Sequence, residues 1–184
     1  MIDIEEYLDR YKHLVTANGV VSKLEILAQK LKIHRQNGKR ILIFGNGASA
    51  SIASHAALDF TKQGRLETLC FHDASLITAY SNDYGYENAF KEILNSYHHI
   101  GDLVFLVSTS GESENLIQVN QLAQKLGLYT VSFTGRHSTN RLKSSSNESF
   151  WVDSHAYNIV ENTHSIWITT LIDCLVGQAE YEVS

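Results

Sequence analysis

Five short apolar runs, spaced through the chain from residue 40 onward, limit this sequence to very few folds. They read "RILIFG", "ETLCFH", "DLVFLV", "LYTVSFTG" and "ESFWVD". Each is short, rich in β-branched and aromatic residues and bounded by glycine or polar residues, as buried strands are. Three longer stretches of helical character separate the first four runs: about Ala48 to Lys62, then 75 to 97 with an interruption at "NDYG", then Glu112 to Leu126, which stops at Gly127. A fourth closes the chain, from about Ala156 to Gly177. Ahead of the first strand, Ile4, Tyr7, Leu8, Tyr11, Leu14 and Val15 recur at helical spacing, and so do Val20, Leu24, Leu27 and Leu31. These predict two opening amphipathic helices. The stripe of Tyr7, Tyr11 and Leu14 is too apolar to be left bare on a monomer. Strands alternating with helices predict an α/β domain: a mainly parallel sheet of about five strands with helices on both faces. No linker, repeat or low-complexity tract divides residues 1–184, so they read as one domain.

Composition narrows the partners. The net charge of -5 and the lack of a basic block argue against nucleic acid. The opening "MIDIEEYLDR" is acidic and does not resemble a signal peptide. No apolar run reaches the roughly 18 residues of a membrane span. Cys70 and Cys174 have no CxxC spacing and read as reduced core residues of a cytoplasmic protein.

Ligands of a parallel α/β sheet bind beyond the carboxyl ends of its strands. Two such ends carry unusual loops. One is "GNGASAS", residues 45 to 51. The other is "STSGES", where Ser108, Thr109, Ser110 and Ser113 crowd around Gly111. A Gly/Ser turn into a helix presents backbone N–H groups to an anion, and serine and threonine hydroxyls add further donors. The loop has no lysine or arginine, so it would hold phosphate by dipoles and hydroxyls. It lacks the GK[ST] ending of a nucleotide P-loop, and GxGxxG is absent too. A serine-rich helix cap is the plainer alternative, and spacing alone leaves both open. His55 and Asp59, four apart on a predicted helix, share one face.

The segments "GNGASASIASHAALDF", "DASLITAYSNDYGYENAF" and "GDLVFLVSTSGESENL" resemble the sugar isomerase (SIS) domain family, most of all its phosphoheptose isomerases. The resemblance runs from about residue 3 to residue 177. It implies a flavodoxin-like sheet and a homotetramer with active sites between subunits. The implied substrate is sedoheptulose 7-phosphate, converted to D-glycero-D-manno-heptose 7-phosphate. Carried over by motif, Ser108, Thr109, Ser110 and Ser113 grip the phosphate. Asn46, Gly47 and Ser49 meet the sugar chain and its carbonyl end. Asp83 faces substrate hydroxyls, although a turn or capping role explains it as well. Glu112 stands where asparagine is frequent, and its charge should turn away from a bound phosphate.

The resemblance also implies zinc, held by a histidine, a glutamate four residues later, and a glutamine and a histidine of the last helix. His55 keeps the first position and Asp59 replaces the glutamate. Glu161 falls on the glutamine, and Thr169 on the second histidine. Threonine is a poor zinc ligand. The set His55, Asp59 and Glu161 is therefore incomplete, with His164 one helical turn beyond Glu161. Isomerisation through an enediol needs a base beside the carbons, and Asp59, paired with His55, is the candidate. The alternative is a non-catalytic sugar-phosphate-binding protein, similar to a tetrameric partner of the bacterial replication initiator that belongs to the same family.

Overall fold

The computed structural model describes residues 2–181. Strands β1 (Ile41–Gly45) and β3 (Leu103–Ser108) are buried at every position, which a strand achieves only with cover on both faces. They form the centre of a five-stranded sheet with β2 (Thr68–Cys70), β4 (Tyr129–Gly135) and β5 (Glu148–Val152). The order is β2-β1-β3-β4-β5, and every neighbouring pair is parallel. This is the flavodoxin-like order expected above.

Alternation along the strands splits the core in two. Ile41, Ile43, Phe105, Val107, Phe133 and Phe150 pack against α2 (Val20–Gln36), α3 (Ala48–Lys62) and α8 (Tyr157–Val176). Leu42, Phe44, Val104 and Leu106 pack on the other face, against α5 (Tyr86–Tyr97) and α6 (Glu114–Lys125). The predicted stripe of α2 is confirmed, with Val20, Leu24, Leu27 and Leu31 all buried. Gly85, at φ +77, breaks the 75–97 stretch into α4 (Ala74–Tyr84) and α5.

Three details depart from expectation. A short helix, α7 (Arg141–Ser145), lies between β4 and β5, capped by Asn140 Oδ1 accepting from Lys143 N at 2.9 Å. Its five residues are too few to show a period. The α6 helix begins at Glu114, two residues later than read, because residues 109 to 113 stay in the loop. Cys174 is exposed rather than in the core, while Cys70 is half-buried, and both are free thiols.

Helix α1 (Ile4–Leu14) buries no residue completely. Tyr7, Tyr11 and Leu14 are half-covered, and Asn162 of α8 donates to Tyr11 Oη at 2.9 Å. Ile4 and Leu8 remain exposed. No helix among the described residues is long and apolar enough to cross a membrane.

Candidate functional site

The chain leaves β1 for β2 on one side and returns across β1 to β3 on the other. The two loops that follow β1 and β3 therefore diverge at the carboxyl edge, and a crevice opens between them. It has a volume of about 280 Å³ and is lined by Asn46 to Ser49, Val107 to Ser110, Ser113, Tyr157 and Glu161. Among the residues picked out from sequence, it unites Asn46, Gly47, Ser49, Ser108, Thr109, Ser110, Ser113 and Glu161.

Local chemistry shapes both loops. Gly45 lets the first turn of α3 press on the strand end, where an added Cβ would lie 2.6 Å from the Ser49 carbonyl oxygen. Gly47 takes φ +56 and no side chain caps α3. In the second loop Ser108 Oγ accepts from Gly111 N at 3.1 Å, and Ser110 Oγ accepts from Glu112 N at 3.1 Å. Gly111 has φ +69, and a Cβ there would fall 2.0 Å from Asn140 Oδ1. Ser113 occupies the N-cap of α6, yet its hydroxyl makes no capping bond and sits 3.4 Å from Ser108 Oγ. A loop built only to cap the helix would spend that hydroxyl on an α6 N–H. Glu112 accepts from Arg141 N at 2.9 Å and is not part of the lining.

Three residues missed from sequence hold this crevice in shape. Asn46 and Asn115 exchange two amide hydrogen bonds, each 3.0 Å, and Tyr86 Oη donates to Asn46 Oδ1 at 2.7 Å. Tyr157 forms part of the opposite wall, beside Glu161, which accepts from Thr109 Oγ1 at 3.3 Å. Tyr86 and Asn115 lie inside the quoted segments but outside their loops, and Tyr157 lies in neither, so their part in the crevice shows only where they meet in space.

His55, Asp59 and Asp83 stand outside the crevice. His55 Nε2 lies 2.9 Å from Asp59 Oδ2. The pair lies on α3 beyond Ser49, with His55 roughly 9 Å further along at the α-helical rise of about 1.5 Å per residue. Asp83 is exposed near the end of α4, bonded to Asn82 Nδ2 at 2.9 Å. Among the described residues no group of three or more His, Cys, Asp or Glu comes together as metal ligands do. A single chain thus does not gather His55, Asp59 and Glu161 around one ion. Thr169 donates its hydroxyl to the Ser165 carbonyl of its own helix at 2.9 Å.

His164 is a core residue and not a metal ligand in reserve. It is completely buried, lies beside Phe133 and Trp167, and donates from Nε2 to the Thr134 carbonyl at 2.9 Å. Burial pushes its pKa down to about 4. The folded state therefore keeps it neutral, whereas an unfolded chain protonates it below about 6.5. The unfolded state binds more protons between these values, so stability is whole above about pH 6.5 and falls as pH drops toward about 4. Burial holds His34 and His72 down as well, with the same sign. His164→Gln keeps a donor and removes the titration. Urea midpoints between pH 7 and pH 5 should fall less steeply in this variant than in the wild type, and equal slopes would refute the assignment.

Residues 6–135 match the SIS domain family. A probable phosphoheptose isomerase of Thermoplasma acidophilum is 31% identical over 169 residues, which cover 89% of this chain and 92% of that protein. A phosphoheptose isomerase of Helicobacter pylori is 34% identical over 175 residues, covering 88% and 91%. The structure of a phosphoheptose isomerase from Neisseria gonorrhoeae superposes with a TM-score of 0.78 at 25% identity, over 95% of this chain and 92% of that one. With the flavodoxin-like sheet, the "GNGAS" and "STSGES" loops and the crevice between them, these matches place the chain: it belongs to the SIS domain family.

Proposed function

We propose that this protein is a phosphoheptose isomerase-like enzyme that interconverts sedoheptulose 7-phosphate and D-glycero-D-manno-heptose 7-phosphate in the cytoplasm. The observation that carries the reading is the crevice between β1 and β3. Its lining offers hydroxyls of Ser108, Thr109, Ser110 and Ser113 and two helix starts without side-chain caps, and contains no lysine or arginine. Such a cradle suits a phosphoryl group bound by neutral donors. The sugar extends toward Asn46, Gly47 and Ser49. The names of the relatives point to the same chemistry.

The reaction moves a proton between C1 and C2 through an enediol. In this reading Asp59 takes the proton and His55 holds its carboxylate in place. The pair lies outside the crevice of its own chain, so the reading includes a homotetramer in which one subunit's pair faces another's bound sugar. Asp83 belongs with the substrate hydroxyls on the same terms. Zinc enters as an ion held by His55, Asp59 and Glu161. One chain does not assemble that set, and no step of the reaction is assigned to the metal.

A second reading, sugar-phosphate binding without turnover, is favoured by Thr169, which turns its hydroxyl to its own helix where the family resemblance puts a histidine. An isomerase assay across heptose, hexose and pentose phosphates, with and without added zinc, separates the two. Turnover of the heptose phosphate supports the enzyme, and binding without turnover supports the second. Ser110→Ala or Ser113→Ala should weaken sugar-phosphate binding by about 1–3 kcal/mol, the worth of a hydrogen bond to a charged group. Titration calorimetry giving unchanged affinity in both variants would remove the phosphate from this loop.

A further inference from the structure

The crevice contains no cation, but one stands directly behind its wall. Arg136 is the first residue after β4, and Gly135 before it lets the strand end lie against the phosphate loop. A Cβ on Gly135 would come within 3.1 Å of the Thr109 carbonyl oxygen and 2.6 Å of Val160 Cγ1 on α8. Arg136 itself takes φ +57, a left-handed conformation uncommon for a residue with a Cβ. Its N–H donates to the Ser154 carbonyl at 2.9 Å, which holds the turn. An observed backbone outlier beside a ligand crevice is a reason to look for function there.

The side chain of Arg136 runs to Tyr157. Nη1 donates to Tyr157 Oη at 3.3 Å, and the guanidinium carbon lies 5.4 Å from the ring centre. No carboxylate pairs with Arg136 among the described residues, and its Nε is buried without a partner. A guanidinium has donors only, so in this contact the phenol oxygen is the acceptor. The hydrogen of the Tyr157 hydroxyl is then left to donate elsewhere. Tyr157 is part of the crevice wall.

We infer that Tyr157 donates its hydroxyl to a phosphoryl oxygen of the ligand, and that Arg136 is the positioning residue that orients the phenol and lends the site its positive charge. This deepens the proposed function and rests on it, since it needs a phosphorylated ligand in the crevice. The two residues act as one unit. Without Arg136 the phenol loses its direction, and without Tyr157 the guanidinium has no contact to pass on.

Titration calorimetry on the full-length protein tests this with inorganic phosphate and with sedoheptulose 7-phosphate. Tyr157→Phe should bind both about tenfold more weakly, as loss of one hydrogen bond to an anion predicts. Arg136→Met should lose a similar factor, Arg136→Lys should recover part of it, and the double variant should be no weaker than either single one. In turnover, KM should rise while kcat holds. Tyr157 is 58% exposed, so Tyr157→Phe should fold as the wild type does, and its unfolding midpoint checks this. Variants that bind both ligands within twofold of the wild type overturn the inference, and so do independent, additive losses. A wild type that binds neither ligand overturns the proposed function together with this inference. A wild type that binds, with losses in the Ser110 and Ser113 variants only, overturns this inference alone.

Discussion

Asp59→Asn should lower turnover of sedoheptulose 7-phosphate by a factor of about 10² to 10⁴, the usual worth of one general base. The substitution keeps the shape of the side chain and removes its capacity to take a proton. Asp59 is tethered from two sides, by His55 Nε2 at 2.9 Å and by Gln63 Nε2 at 3.3 Å. Gln63 can still donate to the amide oxygen of asparagine, so the fold should survive, and a urea melt would verify it. Sugar-phosphate affinity should stay near the wild-type value, because the crevice lining does not include this residue. The effect therefore belongs in kcat with little change in KM. Full turnover in Asp59→Asn would assign the base to another residue. Equal losses in kcat and in binding would mean that the variant disturbs the crevice.

The second large effect is structural. Gly45→Ala should cost on the order of 3–5 kcal/mol, at the upper end for a single core substitution. The new Cβ would meet the Ser49 carbonyl oxygen at 2.6 Å, its carbon at 2.7 Å and Ala50 N at 3.0 Å. All three are backbone atoms, so no rotamer change relieves the overlap, and α3 would have to move off the sheet. That helix is anchored by Ala53, Ala56, Ala57 and Phe60 in the core. A shift would also displace Asn46, Gly47 and Ser49 from the crevice, and phosphate affinity should fall with stability. Gly127→Ala is the control. Gly127 has φ +71 and nothing within 4 Å of an added Cβ, so only backbone strain of about 1–2 kcal/mol applies. Similar unfolding midpoints for the two variants would show that the close approach at Gly45 is not what holds the loop.

Much of this architecture could be read from the chain alone. Apolar runs such as "ILIF" and "LVFLV" can be satisfied only between two layers of helices, and the helical spacing of Val20, Leu24, Leu27 and Leu31 leaves one face to bury. The strand-to-helix loops at Gly45 and Ser108 follow from the same local pattern, and with them most of the crevice. What local pattern reports is which residues share a face of one element. It does not say which faces meet. His164 and Glu161 are neighbours on one helix whose polar residues lie on both its buried and its open face. Packing sent His164 into the core beside Phe133 and Glu161 to Thr109 at the crevice. His55 and Asp59 do pair as their spacing implies, yet the helix carries them away from the loop in which their motif begins. Arg136, Tyr157 and Thr109 come from three separate elements. Only the parallel order of β3 and β4, and α8 packed across their ends, brings these three together, because contacts between distant segments are decided by how layers pack and not by the order of residues within any one of them.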